Sequence, residues 1–195
     1  MVQLPDNPRL FVAVELPGQV RRALDELQHD LQRHGLSGLR WVRPEGIHLT
    51  LKFLGETSRE QLDAIKGSLA SSTVGVPPHE LSLGELGTFG TPSAPRVLWL
   101  DLQGDLDILA RLHSQVDAAL ASAGFPRESR PFAAHLTLAR VRPESSRSVA
   151  EPLANAITSV PVPEAVVPVR EVSLMLSKLG HGGAAYTRLA AWPLG

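Results

Sequence analysis

The sequence contains no cysteine among its 195 residues. This absence excludes disulfide bonds, thiolate metal ligands and a cysteine nucleophile. Lysine and arginine number 19 against 20 aspartates and glutamates, so no excess of positive charge is available to bind nucleic acid non-specifically. A polyanionic substrate must therefore be recognised by a local cluster of basic side chains.

Long apolar segments are also missing. No run of apolar residues approaches the roughly 20 that span a bilayer. The N-terminal segment lacks the basic stretch and long apolar stretch that are typical of a signal peptide. We therefore expect a cytoplasmic, monomeric protein with no membrane partner, and the length favours a single domain over residues 1–195.

The hydrophobic periodicity predicts short strands that alternate with amphipathic helices. Glycine and proline number 16 each, which indicates many turns between these elements. Strands are predicted at 9–16, 47–54, 81–89, 96–102, 134–141, 166–176 and 185–191, and helices at 17–34, 58–69, 105–123 and 146–157. This order favours the α+β class with largely antiparallel sheets.

One tetrapeptide, His-Leu-Thr-Leu, occurs twice, at 48–51 and at 135–138. The spacing, 135 − 48 = 87 residues, is a little under half of the chain. Each copy lies in a predicted strand that follows a helix and a loop containing arginine and proline. The matched context predicts an internal duplication.

Within a strand, residues i and i+2 point to the same face of the sheet. His48 and Thr50 therefore share one face, as do His135 and Thr137, while the leucines between them face a core. Two copies related by a pseudo-two-fold axis bring two imidazoles and two hydroxyls across a single cleft.

This set of side chains suits the hydrolysis of a phosphodiester. The reaction needs a base for the nucleophile, an acid for the leaving oxygen and donors for the phosphoryl oxygens. Histidine, with an ordinary pKa of about 6.5, can serve as either base or acid, and threonine can donate to phosphate. A single His-x-Thr pair is more often structural, but two matched pairs favour function. A zinc site is the other interpretation, although two histidines leave it short of ligands.

At these residues the sequence resembles the 2H phosphoesterases. RWVRPEGIHLTLKFLGE at 40–56 and FAAHLTLAR at 132–140 are similar to the two motif blocks of the family. The branch of closest resemblance is the bacterial and archaeal RNA 2′,3′-cyclic phosphodiesterases (ThpR/LigT, the "2′-5′ RNA ligase" family). RLFVAVELP at 9–17 and the segment 172–194 look like its opening and closing strands. One departure is Ala134, where the family usually has proline.

The resemblance implies two pseudo-symmetric lobes, each an antiparallel sheet with helices on its outer face, that enclose a central cleft. It also implies hydrolysis of a terminal 2′,3′-cyclic phosphate on RNA to a 2′-phosphate, without metal or cofactor, with 2′-5′ RNA ligation as a second activity. His48 would be the proton donor to the departing 3′ oxygen and His135 the proton acceptor that activates water, although the reverse assignment stays open. Thr50 and Thr137 would hold the phosphoryl oxygens.

Five further residues are candidates for contact with the substrate. Arg140 matches a family arginine and is a candidate phosphate ligand, although strict alternation places it on the face of the buried leucines. Lys52 shares the face of His48, where either a ligand role or a solvated position at the rim is expected. Phe53 and Tyr186 could each stack a base, although alternation favours a core position for Phe53. Arg130 lies in the loop before the second motif and could guide RNA.

Two other functions remain open at this stage. One is a phosphodiesterase for a small nucleotide, such as a cyclic phosphate of ADP-ribose or a 2′-5′ oligoadenylate. The other is a non-catalytic module that binds nucleotides or RNA. The intact histidine and threonine of both motifs argue against the second alternative.

Overall fold

A computed structural model describes residues 4–180 and 183–195 of the chain. These residues form nine β-strands and four α-helices, and every strand pair is antiparallel, so the predicted α+β class is confirmed. The strands are β1 (Arg9–Glu15), β2 (Leu39–Trp41), β3 (His48–Glu56), β4 (His79–Thr91), β5 (Ala94–Gly104), β6 (His135–Val141), β7 (Val166–Val169), β8 (Glu171–Gly180) and β9 (Gly183–Pro193). The helices are α1 (Gly18–Gln32), α2 (Gln61–Ser72), α3 (Leu106–Ser122) and α4 (Ala150–Ser159).

The strands form two lobes that meet at the two motif strands. One lobe has the order β3-β1-β8-β9 and the other has the order β6-β5-β4-β7, with the short β2 also paired to β6. The lobes join where β3 lies beside β6, and their register contains the single residue pair Leu49 and Leu136. The two motifs therefore lie at the junction between the lobes.

The two lobes are built by equivalent segments that exchange a strand. The order β1-α1-β3-α2 is repeated as β5-α3-β6-α4. However, β4 follows α2 in the chain and pairs with β5, whereas β8 follows β7 and pairs with β1. Each lobe is therefore completed by a strand from the other half of the chain, and the proposed duplication accounts for this symmetry.

The core lies between one face of the sheet and the helices. The two longest helices bury the apolar stripes that the sequence predicts, except Leu106 at the start of α3, which is 41% exposed. The buried members in α1 and α3 are Val20, Leu24, Leu27 and Leu31, and Leu109, Leu112, Val116 and Leu120. These side chains are at most 2% exposed, and burial of one leucine or valine side chain contributes about 1.5–3 kcal/mol. The helices therefore cover one face of the sheet, and the opposite face is left to form a cleft.

Three boundaries differ from the sequence predictions. Strand β2 is too short to show a period and was not expected. The predicted strand 166–176 is divided at Arg170, because β7 pairs with β4 in one lobe and β8 pairs with β1 in the other. Helix α2 begins at Gln61 rather than Ser58, although the Ser58 N–H donates to Gln61 Oε1 at 2.9 Å. No helix in the described ranges is both long and apolar enough to cross a membrane.

Candidate functional site

The two His-x-Thr pairs line one cleft of about 670 Å³ between the lobes. His48 and Thr50 reach it from β3, and His135 and Thr137 reach it from β6. The leucine between each pair is fully buried on the helical side of the sheet, as the alternation predicts. The structure therefore brings together the four side chains that the sequence singles out.

Both imidazoles are held by the same local hydrogen bond. Nδ1 of His48 lies 2.8 Å from the carbonyl oxygen of Gly46, and Nδ1 of His135 lies 2.8 Å from that of Ala133. A carbonyl only accepts, so this contact places a proton on Nδ1 and leaves Nε2 available for proton transfer. In both motifs the carbonyl belongs to the residue two positions before the histidine. Ala134, which precedes His135, therefore allows the same hydrogen bond as Ile47, which precedes His48.

The ring of His48 lies among aromatic side chains. It stacks on Phe11 at a centroid distance of 4.7 Å and meets the edge of Tyr186 at 5.0 Å. Burial lowers the pKa of His48 below its ordinary value. The hydrogen bond to Gly46 and the charge of Glu15 oppose this shift, and the charge of His135 reinforces it. The neutral imidazole is therefore favoured in the free cleft.

The carboxylate of Glu15, which lies beside His48 on the neighbouring strand, is already engaged. Glu15 is the register partner of His48, but it forms an ion pair of 2.6 Å with Arg188 and accepts a hydrogen bond of 2.8 Å from Ser173 Oγ. Arg188 also pairs with Glu171 at 2.7 Å. Because its charge is shared with these partners, Glu15 only partly offsets the burial of the imidazole.

His135 also has aromatic neighbours. Phe89 meets it edge-on at 4.9 Å, and the Trp99 ring lies 6.4 Å away. Trp99 covers Gly87 so closely that a Cβ atom there would lie 2.4 Å from the indole. The glycine therefore makes room for the ring that supports the second histidine.

A β-bulge follows the threonine in both motif strands. In β3, Thr50 pairs with Ala13 and Lys52 pairs with the adjacent Val12, so Leu51 has no partner of its own. A matching register shift occurs in β6 between the partners of Thr137 and Ala139. A bulge adds one residue to a strand and so reverses the faces of the residues after it.

The bulges turn Phe53 and Arg140 into the cleft. The two residues occupy equivalent positions, five residues after the histidine of each motif, and both line the cavity. The Phe53 side chain is 72% exposed, so the expected core position of this residue is wrong. The matching bulge in β6 resolves the conflict over Arg140, which strict alternation had placed among the buried leucines.

Lys52 is turned away from the cleft by the bulge. Its ammonium group donates to Asp117 Oδ1 and, at 2.7 Å, to the carbonyl oxygen of Pro126. The lysine side chain is 6% exposed and that of Asp117 is 11% exposed. Both expectations for Lys52, a ligand role and a solvated rim position, are therefore wrong, because the residue joins β3 to α3 and to the loop before the second motif.

The remaining candidates line the cleft, together with residues that the sequence analysis missed. Arg130 and Tyr186 contribute to its wall, where the predicted contacts with the substrate stay predictions. Arg9 and Arg40 were missed. Arg9 is exposed at the start of β1, next to buried Leu10, and this alternation could have placed its side chain on the face opposite the core. The signal was easy to overlook because the rest of the strand is apolar.

The cleft is strongly positive for a chain that is almost neutral. Arg9, Arg40, Arg130 and Arg140 line it, and no carboxylate does so among the described residues. In that part of the chain, no group of three or more histidines, aspartates or glutamates is arranged to hold a metal ion. The arrangement offers two proton-transfer groups and a positively charged surface that can bind an anion, which is the chemistry of phosphate-ester cleavage.

Comparison with known proteins agrees with this chemistry. The sequence model of the LigT-like phosphoesterase family matches residues 14–99 and again residues 101–186. The two matches begin 101 − 14 = 87 residues apart, which is the spacing of the two motifs.

Relatives and solved structures give the same result. The chain is 38% identical over 134 residues to an RNA 2′,3′-cyclic phosphodiesterase of Archaeoglobus fulgidus, covering 69% of this chain and 73% of that protein. It is 30% identical over 186 residues to the protein of that name from Methanothermobacter thermautotrophicus, covering 95% and 98%. The crystal structure of Escherichia coli LigT in apo form superposes with a TM-score of 0.75 at 27% identity, covering 97% and 99%. The chain is therefore an enzyme of the LigT-like phosphoesterase family, and the resemblance to the 2H phosphoesterases is confirmed.

Proposed function

We propose that the chain hydrolyses the terminal 2′,3′-cyclic phosphate of RNA to a 2′-phosphate. The observation that carries this proposal is the pair of His-x-Thr motifs facing one arginine-lined cleft, with both histidines held through Nδ1. The names of the relatives from Archaeoglobus fulgidus and Methanothermobacter thermautotrophicus support this substrate. Crystal structures of Escherichia coli LigT in complex with 3′-AMP and with phosphate support a phosphorylated ligand.

In the proposed reaction the two histidines each transfer one proton. His135 Nε2 takes a proton from water as the water oxygen attacks phosphorus. The bond from phosphorus to the 3′ oxygen breaks, and that oxygen takes a proton from His48 Nε2. One water molecule is consumed, and the proton on His135 returns to His48 through solvent. Each proton transfer contributes about 10²–10⁴-fold to the rate.

Thr50 and Thr137 bind the phosphoryl oxygens in this scheme. Each threonine follows its histidine by two residues and lies on the same side of the strand, before the bulge. Arg140 supplies positive charge at one end of the cleft. Negative charge accumulates on the phosphoryl oxygens in the transition state, so these donors stabilise it more than the ground state.

The low pKa of His48 in the free cleft is compatible with its role as the donor. The anionic phosphate brings a negative charge beside the imidazole, and a nearby opposite charge favours the protonated form. Substrate binding would therefore be coupled to proton uptake by His48.

The primary test is incubation of a short RNA ending in a 2′,3′-cyclic phosphate, with identification of the product isomer. We expect a 2′-phosphate, and we expect His48→Ala and His135→Ala each to reduce kcat by 10²-fold or more. His34→Ala is the matched control, because His34 is exposed and lies outside the cleft. A 3′-phosphate product would contradict the proposed leaving oxygen, and undiminished turnover in either cleft variant would contradict the acid-base pair.

The acid and the base can be told apart with an activated substrate. A 4-nitrophenyl phosphodiester releases nitrophenolate, which leaves without needing a proton. His48→Ala should retain most of the wild-type turnover of this ester, whereas His135→Ala should lose it. The opposite pattern would reverse the two roles.

The same geometry supports 2′-5′ ligation when the 5′-hydroxyl of a second RNA replaces water. That hydroxyl attacks phosphorus and gives its proton to His135, the 3′ oxygen leaves with the proton of His48, and a 2′-5′ phosphodiester forms. We expect the ligated product to depend on both histidines, as hydrolysis does. Ligation that survives in either alanine variant would show that it occurs elsewhere.

A further inference from the structure

A second groove of about 480 Å³ opens from one end of the cleft. Arg40, Arg140 and Tyr186 line both cavities, so the two are continuous. Arg43 and Trp41 line the groove but not the cleft. It is built by β2, by the turn that precedes the first motif and by the start of β9.

Backbone pairing fixes the positions of two arginines where the groove opens from the cleft. Arg40 of β2 is the register partner of Arg140 of β6, so the two side chains leave adjacent strands at the same level. Arg43 follows in the turn, where its residue is exposed. Three cations are thereby arranged from the cleft outward, beginning at the residue that the second bulge turns inward.

Ion pairs do not neutralise the charge of these three arginines. In the part of the chain that the structure describes, no salt bridge involves Arg40, Arg43 or Arg140. Glu45 is the one carboxylate among the described residues that line the groove. Like charges on adjacent strands destabilise a sheet, so holding two arginines in register is a cost that an anionic ligand would offset.

The two ends of the cleft differ in chemistry. Because β3 and β6 are antiparallel and pair at Leu49 and Leu136, their equivalent residues Phe53 and Arg140 lie toward opposite ends. Phe53 offers an exposed ring suited to stacking on a base, with Arg9 on the neighbouring strand at the same end. The opposite end brings Arg40 and Arg140 together on adjacent strands, which offer sites for phosphate.

We propose that the groove lined by Arg40, Arg43 and Trp41 binds the phosphodiester on the 5′ side of the terminal nucleotide. The inference rests on the proposed function for the position of the cyclic phosphate between the histidines. The terminal base then lies toward Phe53, and the strand leaves the cleft past Arg140. The preferred substrate class is thus an oligonucleotide end, rather than a mononucleotide that lacks this phosphodiester.

The test compares a nucleoside 2′,3′-cyclic phosphate with a dinucleotide and a hexanucleotide that carry the same terminal group. We expect kcat/KM to rise at the first added phosphodiester. Arg43→Gln should reduce the ratio of dinucleotide to mononucleotide kcat/KM about tenfold, as for the loss of one charge-assisted hydrogen bond. The slope of log kcat/KM against log salt for the hexanucleotide should become shallower by about 0.7.

Two further variants make the result specific. Arg43→Lys keeps the charge and should preserve the salt slope. Arg22→Gln removes an exposed arginine of α1 that lines neither cavity, and should leave both the ratio and the slope unchanged. Equal kcat/KM for mononucleotide and dinucleotide, or a ratio that Arg43→Gln does not alter, would overturn the inference while leaving the hydrolysis intact.

Failure of the proposed function is separately visible. If no cyclic phosphate is hydrolysed, the affinity for a labelled hexanucleotide ending in a phosphate still tests the groove. Weaker binding by Arg43→Gln than by Arg22→Gln would support the groove without the reaction, and equal binding would overturn it.

Discussion

Replacement of Lys52 by methionine should destabilise the fold strongly, although Lys52 lies outside the cleft. Methionine has a similar length but carries no charge, so the change leaves the Asp117 carboxylate buried without its cation. Removing one partner of a buried ion pair costs about 3–5 kcal/mol. For a chain of this size, 1 kcal/mol shifts Tm by about 2–4 °C, so we expect Tm to fall by roughly 6–20 °C.

The pH dependence of this loss gives a second test. Burial opposes ionisation of Asp117, but hydrogen bonds from Lys52 and from the Glu128 N–H outweigh it and hold the pKa of Asp117 below its usual range. A carboxyl with a depressed pKa stabilises the fold above its unfolded pKa, and this contribution is lost as pH falls through the lower folded value. The Tm difference between wild type and Lys52→Met should therefore be largest near neutral pH and shrink below about pH 4.

Thermal unfolding at several pH values measures both effects. Lys66→Met is the matched control, because Lys66 is 49% exposed and faces an exposed Asp63 at 3.8 Å, where a pair contributes about 0–1 kcal/mol. The double variant of Lys52→Met and Asp117→Leu should recover much of the loss, since no buried charge remains unpaired. A Tm within about 2 °C of wild type for Lys52→Met, or a deficit that persists in acid, would refute this account of the pair.

Three further predictions concern the cleft. Phe53→Ala should raise KM about 5- to 150-fold for mononucleotide and oligonucleotide cyclic phosphates alike, because base stacking contributes about 1–3 kcal/mol; steady-state kinetics measure this, and an unchanged KM would exclude stacking. The pH profile of kcat/KM should be bell-shaped, with its maximum moved toward acid because burial lowers the pKa of the proton donor His48, and a flat profile between about pH 5 and 8 would contradict acid-base catalysis by two imidazoles. Turnover should be unchanged after dialysis against EDTA, and loss that zinc restores would favour a metal site instead.

The face on which each motif side chain lies could be predicted from the sequence, because it depends on adjacent residues of one strand. Alternation correctly places His48 with Thr50 and buries the leucine between them. The prediction fails at Leu51, because a bulge arises from the pairing of β3 with β1, and β1 is distant in sequence. A hint was present: alternation placed Arg140 among buried leucines, a conflict that one extra residue in the strand removes.

Long-range pairing explains the other failures. The apolar stretch 166–176 has no internal sign of a division, yet its two parts pair with strands of different lobes. The role of Lys52 depends on Asp117, which lies 65 residues further along the chain. By strict alternation Lys52 lies on the same face as His48. The sequence alone therefore cannot distinguish a lysine that binds the substrate from one that pairs with a distant carboxylate.

The pseudo-symmetry of the cleft does not by itself determine the orientation of a bound RNA strand or the roles of the two histidines. The two motifs present the same imidazole, the same hydroxyl and the same Nδ1 contact, so these shared groups do not decide which histidine is the acid and which is the base. The two halves differ at equivalent positions: Phe53 lies toward one end of the cleft and Arg140 toward the other. The exposed Phe53 ring favours a base at one end, and the paired Arg40 and Arg140 favour a phosphodiester at the other, so the two orientations of a bound strand are not equivalent. In this account, the bulges assign different roles to two identical histidines, because they turn the unlike residues inward.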